Sequence, residues 1–191
     1  KQNSEDMQTT KPKLVISTGA GMSAESGIST FRDAGGLWEN HNVMDVASAD
    51  GFARNPELVH RFYNERRRDL LKAQPNKGHL ELKELEKYYD VYIITQNVDD
   101  LHERAGSSRV LHLHGELMKV RTIEEPTQVY TLDEEHLETP PDSTDAQGRH
   151  LRPHIVFFQE AVPNIERAVE WTAEADVFVV IGTSLAVYPA A

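Results

Sequence analysis

The chain has 191 residues, 39% of them apolar, with 20 Lys and Arg against 31 Asp and Glu, a formal net charge of -11 and no cysteine. That size suits one ordinary domain, or one with a small insert; the negative balance argues against nucleic acid or anionic membrane as partner, since those contacts need clustered cations. Disulfides and thiolate zinc sites are excluded, no apolar run nears the roughly 20 residues of a membrane helix, and no signal-peptide pattern opens the chain, so a cytoplasmic address is expected.

Residues 1–12 are polar and unpatterned and read as a disordered lead. Leu14, Val15 and Ile16 form a short apolar run suited to a buried parallel strand that ends near Ser17. Gly19-Ala20-Gly21 with Ala24 then matches G-x-G-x-x-G/A, a strand-to-helix turn that brings bare backbone to a pyrophosphate. On this reading a Cβ at Gly19 or Gly21 would fill phosphate space, the following helix offers its free N–H groups, and Ser23 adds a hydroxyl donor. A tight turn without a ligand is an equally good account of the glycines alone. The helix then breaks at Ser26-Gly27, where a dehydrogenase would run on to a second strand, and a loop returns Phe31 and Arg32 toward the phosphate site. In GAGMSAESGISTFRD the chain resembles the sirtuins, NAD-dependent protein deacylases with a GAG-x-S-x-x-SGIP-x-FR block. Ser29 replaces the proline of that block, which leaves the loop less stiff.

Residues 37–51 show no sustained period and read as an irregular cover over the nucleotide. Asn55-Pro56 opens a helix over residues 57–73, with Leu58, Phe62, Leu70 and Leu71 at helical spacing and a basic outer face. Tyr63 and Arg66 share one side of it, and a phenol beside a guanidinium can clamp a carboxylate. With Arg61, Arg67 and Arg68 alongside, a solvated basic helix is the plainer alternative. FYNERR is similar to the helix of the sirtuin branch that removes succinyl, malonyl and glutaryl groups, which implies that Tyr63 and Arg66 read the distal carboxylate.

Asn76 to His79 opens a helix over residues 80–88, with His79 as a structural hydrogen-bonder, and residues 91–95 form a central strand. Gln96, Asn97 and Asp99 follow at the strand's carboxyl end, where ligands sit in open α/β sheets. They could bond a ribose or a carboxamide, or Asp99 or Asp100 could simply cap the next helix. TQNVDDLH resembles the sirtuin TQN-x-D-x-LH block, which implies that Asn97 and Asp99 handle the nicotinamide end and Gln96 the nicotinamide ribose. In VLHLHGEL the alternation turns His112 and His114 the same way if the segment stays extended. They could be half of a metal site, but no nearby Cys or acidic cluster is expected to complete it. His114-Gly115 resembles the sirtuin catalytic pair, which leaves His112 a supporting role.

Beyond Met118 the resemblance weakens, because the two Cys-x-x-Cys pairs of a sirtuin zinc module are missing. Residues 128–132 suit a small sheet, residues 133–148 an exposed loop, and His136, His150 and His154 read as solvated. RPHIVFFQE returns to the family pattern LRP-x-VV-x-FGE, which implies pairing with an extended substrate peptide. Val156, Phe157 and Phe158 would then line the acyl-lysine tunnel beside Gln159 and Glu160, with Ile155 in the core. Gln159 replaces the usual glycine and is expected to narrow or reshape the cleft. Residues 164–174 form an amphipathic helix and residues 177–181 a buried strand. The turn Gly182-Thr183-Ser184 opens GTSL-x-V-x-P, which resembles the sirtuin block that touches the nucleotide. Family members continue past this point through strands that complete the sheet.

These readings combine into a doubly wound, Rossmann-like α/β fold: residues 13–118 and 151–191 form the NAD-binding domain and residues 119–150 a zinc-free insert. The resemblance implies NAD as cofactor and acylated-lysine proteins as substrates; the missing cysteines lead us to expect no zinc, and a monomer is expected. Nicotinamide and O-acyl-ADP-ribose are the products, with His114 as base. An ADP-ribosyltransferase on the same pocket and a non-catalytic NAD or acyl-lysine binding module are the rival readings.

Overall fold

The apolar run Leu14, Val15 and Ile16 becomes the middle of β1 (Lys13–Thr18), which lies between β4 (Asp90–Thr95) and β9 (Val177–Ile181), with β5 (Val110–His112) beyond β4. All pairings are parallel. A computed structural model describes residues 10–29 and 37–191; most of the expected lead, and both Phe31 and Arg32, lie outside the described residues.

Alternation along β1 sorts its side chains onto two faces. Leu14 and Ile16 pack with Leu82 of α4 (Lys77–Glu84), whereas Val15 packs with Ala168 of α6 (Ile165–Ala173). Helices thus cover both faces of the parallel sheet, the doubly wound arrangement. Val15 and Ile93 are fully buried, each contributing roughly 1.5–3 kcal/mol. β9 departs from the expected buried strand: Val177 to Val180 keep 38–48% exposure, because among the described residues β9 is the sheet's edge and pairs only with β1. Among the described residues no helix is long and apolar enough to cross a membrane.

Residues 37–51 are more regular than expected. β2 (Leu37–Trp38) and β3 (His41–Asn42) form a small antiparallel pair, followed by α1 (Val43–Val46) and α2 (Ala49–Arg54). Both helices are too short to show a period, yet Asn42 accepts from the Met44 N–H and Ser48 from the Gly51 N–H as caps. α3 (Pro56–Lys72) starts on an Asn55 cap with proline in its first turn, and α5 (Leu101–Arg104) follows the loop after β4.

The basic outer face expected of α3 does not include Arg67, which is fully buried. Its Nε donates to the Leu117 carbonyl at 2.9 Å and its Nη1 to the Leu137 carbonyl at 3.2 Å. That pull accounts for the second departure, in the loop expected to be exposed: Leu137 and Thr139 are buried against α3, where His60 also meets Thr139. A three-stranded antiparallel sheet, β7 (Val129–Thr131), β6 (Gly115–Thr122) and β8 (Leu151–Ile155), packs beside it.

VLHLHGEL is not one extended piece. β5 ends at His112 and β6 begins at Gly115, whose φ of 93° is in the left-handed region. A Cβ there would lie 2.1 Å from the His154 carbonyl oxygen, so glycine is required twice over.

Candidate active site

At the carboxyl end of β1 the Gly19 N–H donates to the Ile181 carbonyl and the Gly21 N–H to the Gly182 carbonyl, both at 2.9 Å. A Cβ at Gly19 would come within 2.6 Å of the Gly182 oxygen and of Thr183 Cβ. The glycines are therefore needed for close approach of the turn after β9. Two 3₁₀ turns, Ala20–Met22 and Ala24–Ser26, replace the expected helix and stop at Gly27, with φ 87°. Their tightness turns Ser23 inward.

Ser23 is the hub of a buried network. Its hydroxyl donates to Asp99 Oδ2 at 2.7 Å, while Asp99 Oδ1 accepts from the Leu101 N–H at 3.0 Å. Asp99 therefore lines the site and holds the turn into α5 at once. His79 accepts from the Asn76 N–H at Nδ1, which leaves its protonated Nε2 facing Ser23 Oγ at 3.4 Å. Burial lowers the His79 pKa and keeps the ring neutral. Asn97 Nδ2 donates to the Gly19 carbonyl at 2.9 Å. The Asn76 side chain ties this corner to α4: its Nδ2 donates to the Met22 carbonyl and Ser26 Oγ, and its Oδ1 accepts from Gly78 and His79 N–H.

Thr18, Thr95 and His102 belong to the same corner and escaped the sequence reading. Thr18 Oγ1 donates to Thr95 Oγ1 at 2.8 Å and meets His102 Nε2 at 3.0 Å, and burial drops the His102 pKa to about 4. The available signal was threonine closing two strands that both end in this polar loop.

The break before Gly115 separates the two histidines. His114 faces a cavity of about 280 Å³ and its Nδ1–H donates to the Gln96 carbonyl at 3.2 Å, which leaves the Nε2 lone pair free of that bond. Burial lowers its pKa, an effect the Gln96 bond only partly offsets. His112 turns elsewhere: Nδ1–H to the Asn97 carbonyl at 2.8 Å and Nε2 to Glu103 at 2.5 Å, with Glu116 at 3.8 Å. Burial alone would lower its pKa, but the Glu103 hydrogen bond and the two carboxylate charges overcome it and raise the value.

Ala20, Ser23, Gln96, Asn97, Asp99 and His114 form one wall of the cavity. The other carries Trp38, Tyr63 and Arg66, with Val156, Phe157 and Phe158 between the two. Gly19, Gly21, Ala24, Gly182, Thr183 and Ser184 are not among the residues described as lining the cavity; Gly19 and Gly21 bond the turn after β9, which the Gln96 Nε2 to Thr183 Oγ1 bond at 3.3 Å joins to the first wall.

Residues 19–189 match the model of the Sir2 family. The chain belongs to that family. A Bacteroides thetaiotaomicron NAD-dependent protein deacylase is 57% identical over 181 residues, covering 93% of this chain and 77% of the relative. A Helicobacter pylori protein of the same name is 57% identical over 178 residues, covering 93% and 76%. Among solved structures, a Sir2 homologue in complex with NAD is similar at TM-score 0.83 and 43% identity, covering 94% of this chain and 71% of that one. A mutant Sir2 homologue bound to ADP-ribose reaches TM-score 0.85 at 43% identity, with 94% and 73% covered.

Within this Sir2 chain three of the expected substrate-contacting groups are engaged by the protein itself. Gln159 lines the cavity and its amide is tied down: at φ 77°, its Nε2 donates to Asp50 Oδ2 at 2.8 Å and its Oε1 accepts from the Asp50 N–H at 3.0 Å. The segment after β8 is not wholly free to pair with a peptide, since Phe158 N–H donates to the Ala47 carbonyl, the Phe158 carbonyl accepts from Ala49 N–H, and Val156 N–H donates to the His114 carbonyl. Glu160 lines the cavity, yet its carboxylate is held in a two-pronged pair with Arg152, both contacts 2.8 Å, and by the Phe157 N–H.

The remaining histidines are also sorted by burial. His136 and His150 are exposed and bond Asp133 and Glu124, but His154 is half-buried and burial drops its pKa to about 4. Acidic groups do gather at His112: one ligand atom from each of Glu103, His112 and Glu116 lies within 4.8 Å of the others. The Lys119 ammonium at 2.8 Å from Glu116 provides positive charge there.

Proposed function

We propose that this Sir2-family chain is an NAD-dependent protein-lysine deacylase that prefers acyl groups ending in a carboxylate, such as succinyl and malonyl. One observation carries the preference: Tyr63 Oη and Arg66 Nε and Nη1 are withdrawn from water without a hydrogen-bond partner among the described residues, on the cavity that His114 also faces. A buried donor left unpaired costs roughly 1–3 kcal/mol, and an acyl carboxylate would meet both residues with charge-assisted bonds. Burial raises the Tyr63 pKa well above its ordinary value, so the phenol stays a donor. Phe62 lies against the Arg66 guanidinium at 4.9 Å and steadies it.

The donor set of the opposite wall suits NAD: a buried acid, two carboxamides and a neutral imidazole beside a turn with no room for a Cβ. NAD, when bound, supplies a ribose carbon open to attack by the acyl oxygen and a nicotinamide that leaves. Gln96, Asn97 and Asp99 would hold its nicotinamide half, Ala20 and Ser23 its middle, and Gly19, Gly21, Ala24, Gly182, Thr183 and Ser184 the turn behind it. His114 Nε2 would take a proton from a ribose hydroxyl, because the Gln96 carbonyl fixes the other ring proton and burial keeps the ring neutral. Val156 and Phe157 would screen the acyl-lysine stem from water.

The test is kcat/KM for acetyl and succinyl peptides with the enzyme and with Arg66→Met. We expect succinyl to be preferred and the preference to fall about ten- to a hundredfold in the variant. Equal use of both peptides by the unaltered enzyme would overturn the acyl assignment, and transfer of labelled ADP-ribose to protein without deacylation would favour the transferase.

A further inference from the structure

We propose that Asp69 is a specificity-determining residue, the resident counter-ion of Arg66, and that it holds the preference for anionic acyl groups below what the clamp alone would give. This rests on the carboxylate-clamp reading above and names what limits it.

Helical spacing brings Tyr63, Arg66 and Asp69 to one side of α3 at successive i, i+3 steps. Asp69 Oδ2 accepts from Arg66 Nη2 at 3.2 Å, while Glu65 stands at 3.8 Å from the same nitrogen. The Arg66 side chain is 14% exposed and that of Asp69 57%, so the acid sits at the mouth with the cation behind it. Arg66 is the one Lys or Arg among the residues described as lining the cavity. The other lining acids are engaged elsewhere: Asp99 by Ser23, Glu160 by Arg152 and Glu39 by Ser29.

An incoming carboxylate must therefore share one guanidinium with an anion already on it. If it takes Nε and Nη1, it lies beside the Asp69 charge; if it takes Nη2, it displaces Asp69. Both routes weaken an anionic acyl end, and neither penalises a neutral one. Asp69 thereby narrows the gap between anionic and neutral acyl groups. Asp69→Asn removes the charge and keeps an oxygen for Nη2, whereas Asp69→Glu keeps the charge.

The experiment measures KM and kcat for succinyl and acetyl peptides at low and high ionic strength for the enzyme, both Asp69 variants and Arg66→Met. For Asp69→Asn we expect the succinyl KM to fall and the succinyl-to-acetyl ratio of kcat/KM to rise about two- to fivefold at low salt, shrinking at high salt. Asp69→Glu should keep the original ratio. An unchanged or lower ratio in Asp69→Asn, or equal changes for the two peptides, overturns the inference. If Arg66→Met leaves the ratio untouched the clamp itself fails; if Arg66→Met abolishes the preference while Asp69→Asn is flat, only the role of Asp69 falls.

Discussion

The two walls of the cavity are finished to different degrees. On the wall that carries His114, Ser23, Asp99, Asn97 and His79 are bonded to one another or to backbone, which fixes their positions. On the α3 side Tyr63 and Arg66 carry buried donors that nothing among the described residues meets. Chemistry needs reacting groups held in place beforehand, and discrimination needs a penalty that the right substrate alone removes. The first wall is suited to the former task and the second to the latter.

The largest test of this contrast is His114→Ala, which should lower nicotinamide release coupled to deacylation by about a hundredfold or more while urea unfolding stays close to the original. Retained turnover would break the assignment of chemistry to the first wall. Next comes Arg67→Ala, which strands the Leu117 and Leu137 carbonyls behind the second wall; unfolding should lose about 2–4 kcal/mol. A loss near zero would mean that this wall does not depend on its buried cation. Ser23→Ala takes one partner from Asp99 and should cost about 1 kcal/mol of stability and raise the KM for NAD.

The smallest effects are in pH. The His112 pKa is raised on folding, so its stabilising contribution is complete below about 6.5 and is lost as pH rises through the higher folded value. The enzyme should lose stability over that interval relative to His112→Gln, as read from urea midpoints. The His114 pKa is lowered, so the acid limb of kcat/KM should fall below about 6.5.

The parts of this molecule legible in its sequence were those set by local rules. β1 and α3 follow from apolar periodicity and the Asn55-Pro56 start, and the Tyr63 and Arg66 pairing from helix geometry. What escaped depends on distant partners. Nothing in the run Arg66-Arg67-Arg68 says that its middle member turns inward, because the carbonyls that accept it come from Leu117 and Leu137. The alternation of VLHLHGEL runs unbroken through Gly115, and only the nearby His154 backbone explains why the chain turns there. Glu103 and Glu116 reach His112 from the two sides of that break. The tie that holds the Gln159 amide was hidden because its partner Asp50 is 109 residues away.

Asn76 has a consequence for how the corner around Ser23 can be watched. One carboxamide holds the Met22 carbonyl and Ser26 hydroxyl with its nitrogen and caps α4 with its oxygen. A shift of that corner would loosen the first turn of a helix on the far side of the bond. Deuterium uptake at the Gly78 and His79 amides is therefore a built-in gauge of whether the corner is seated, readable without touching a residue that faces the cavity.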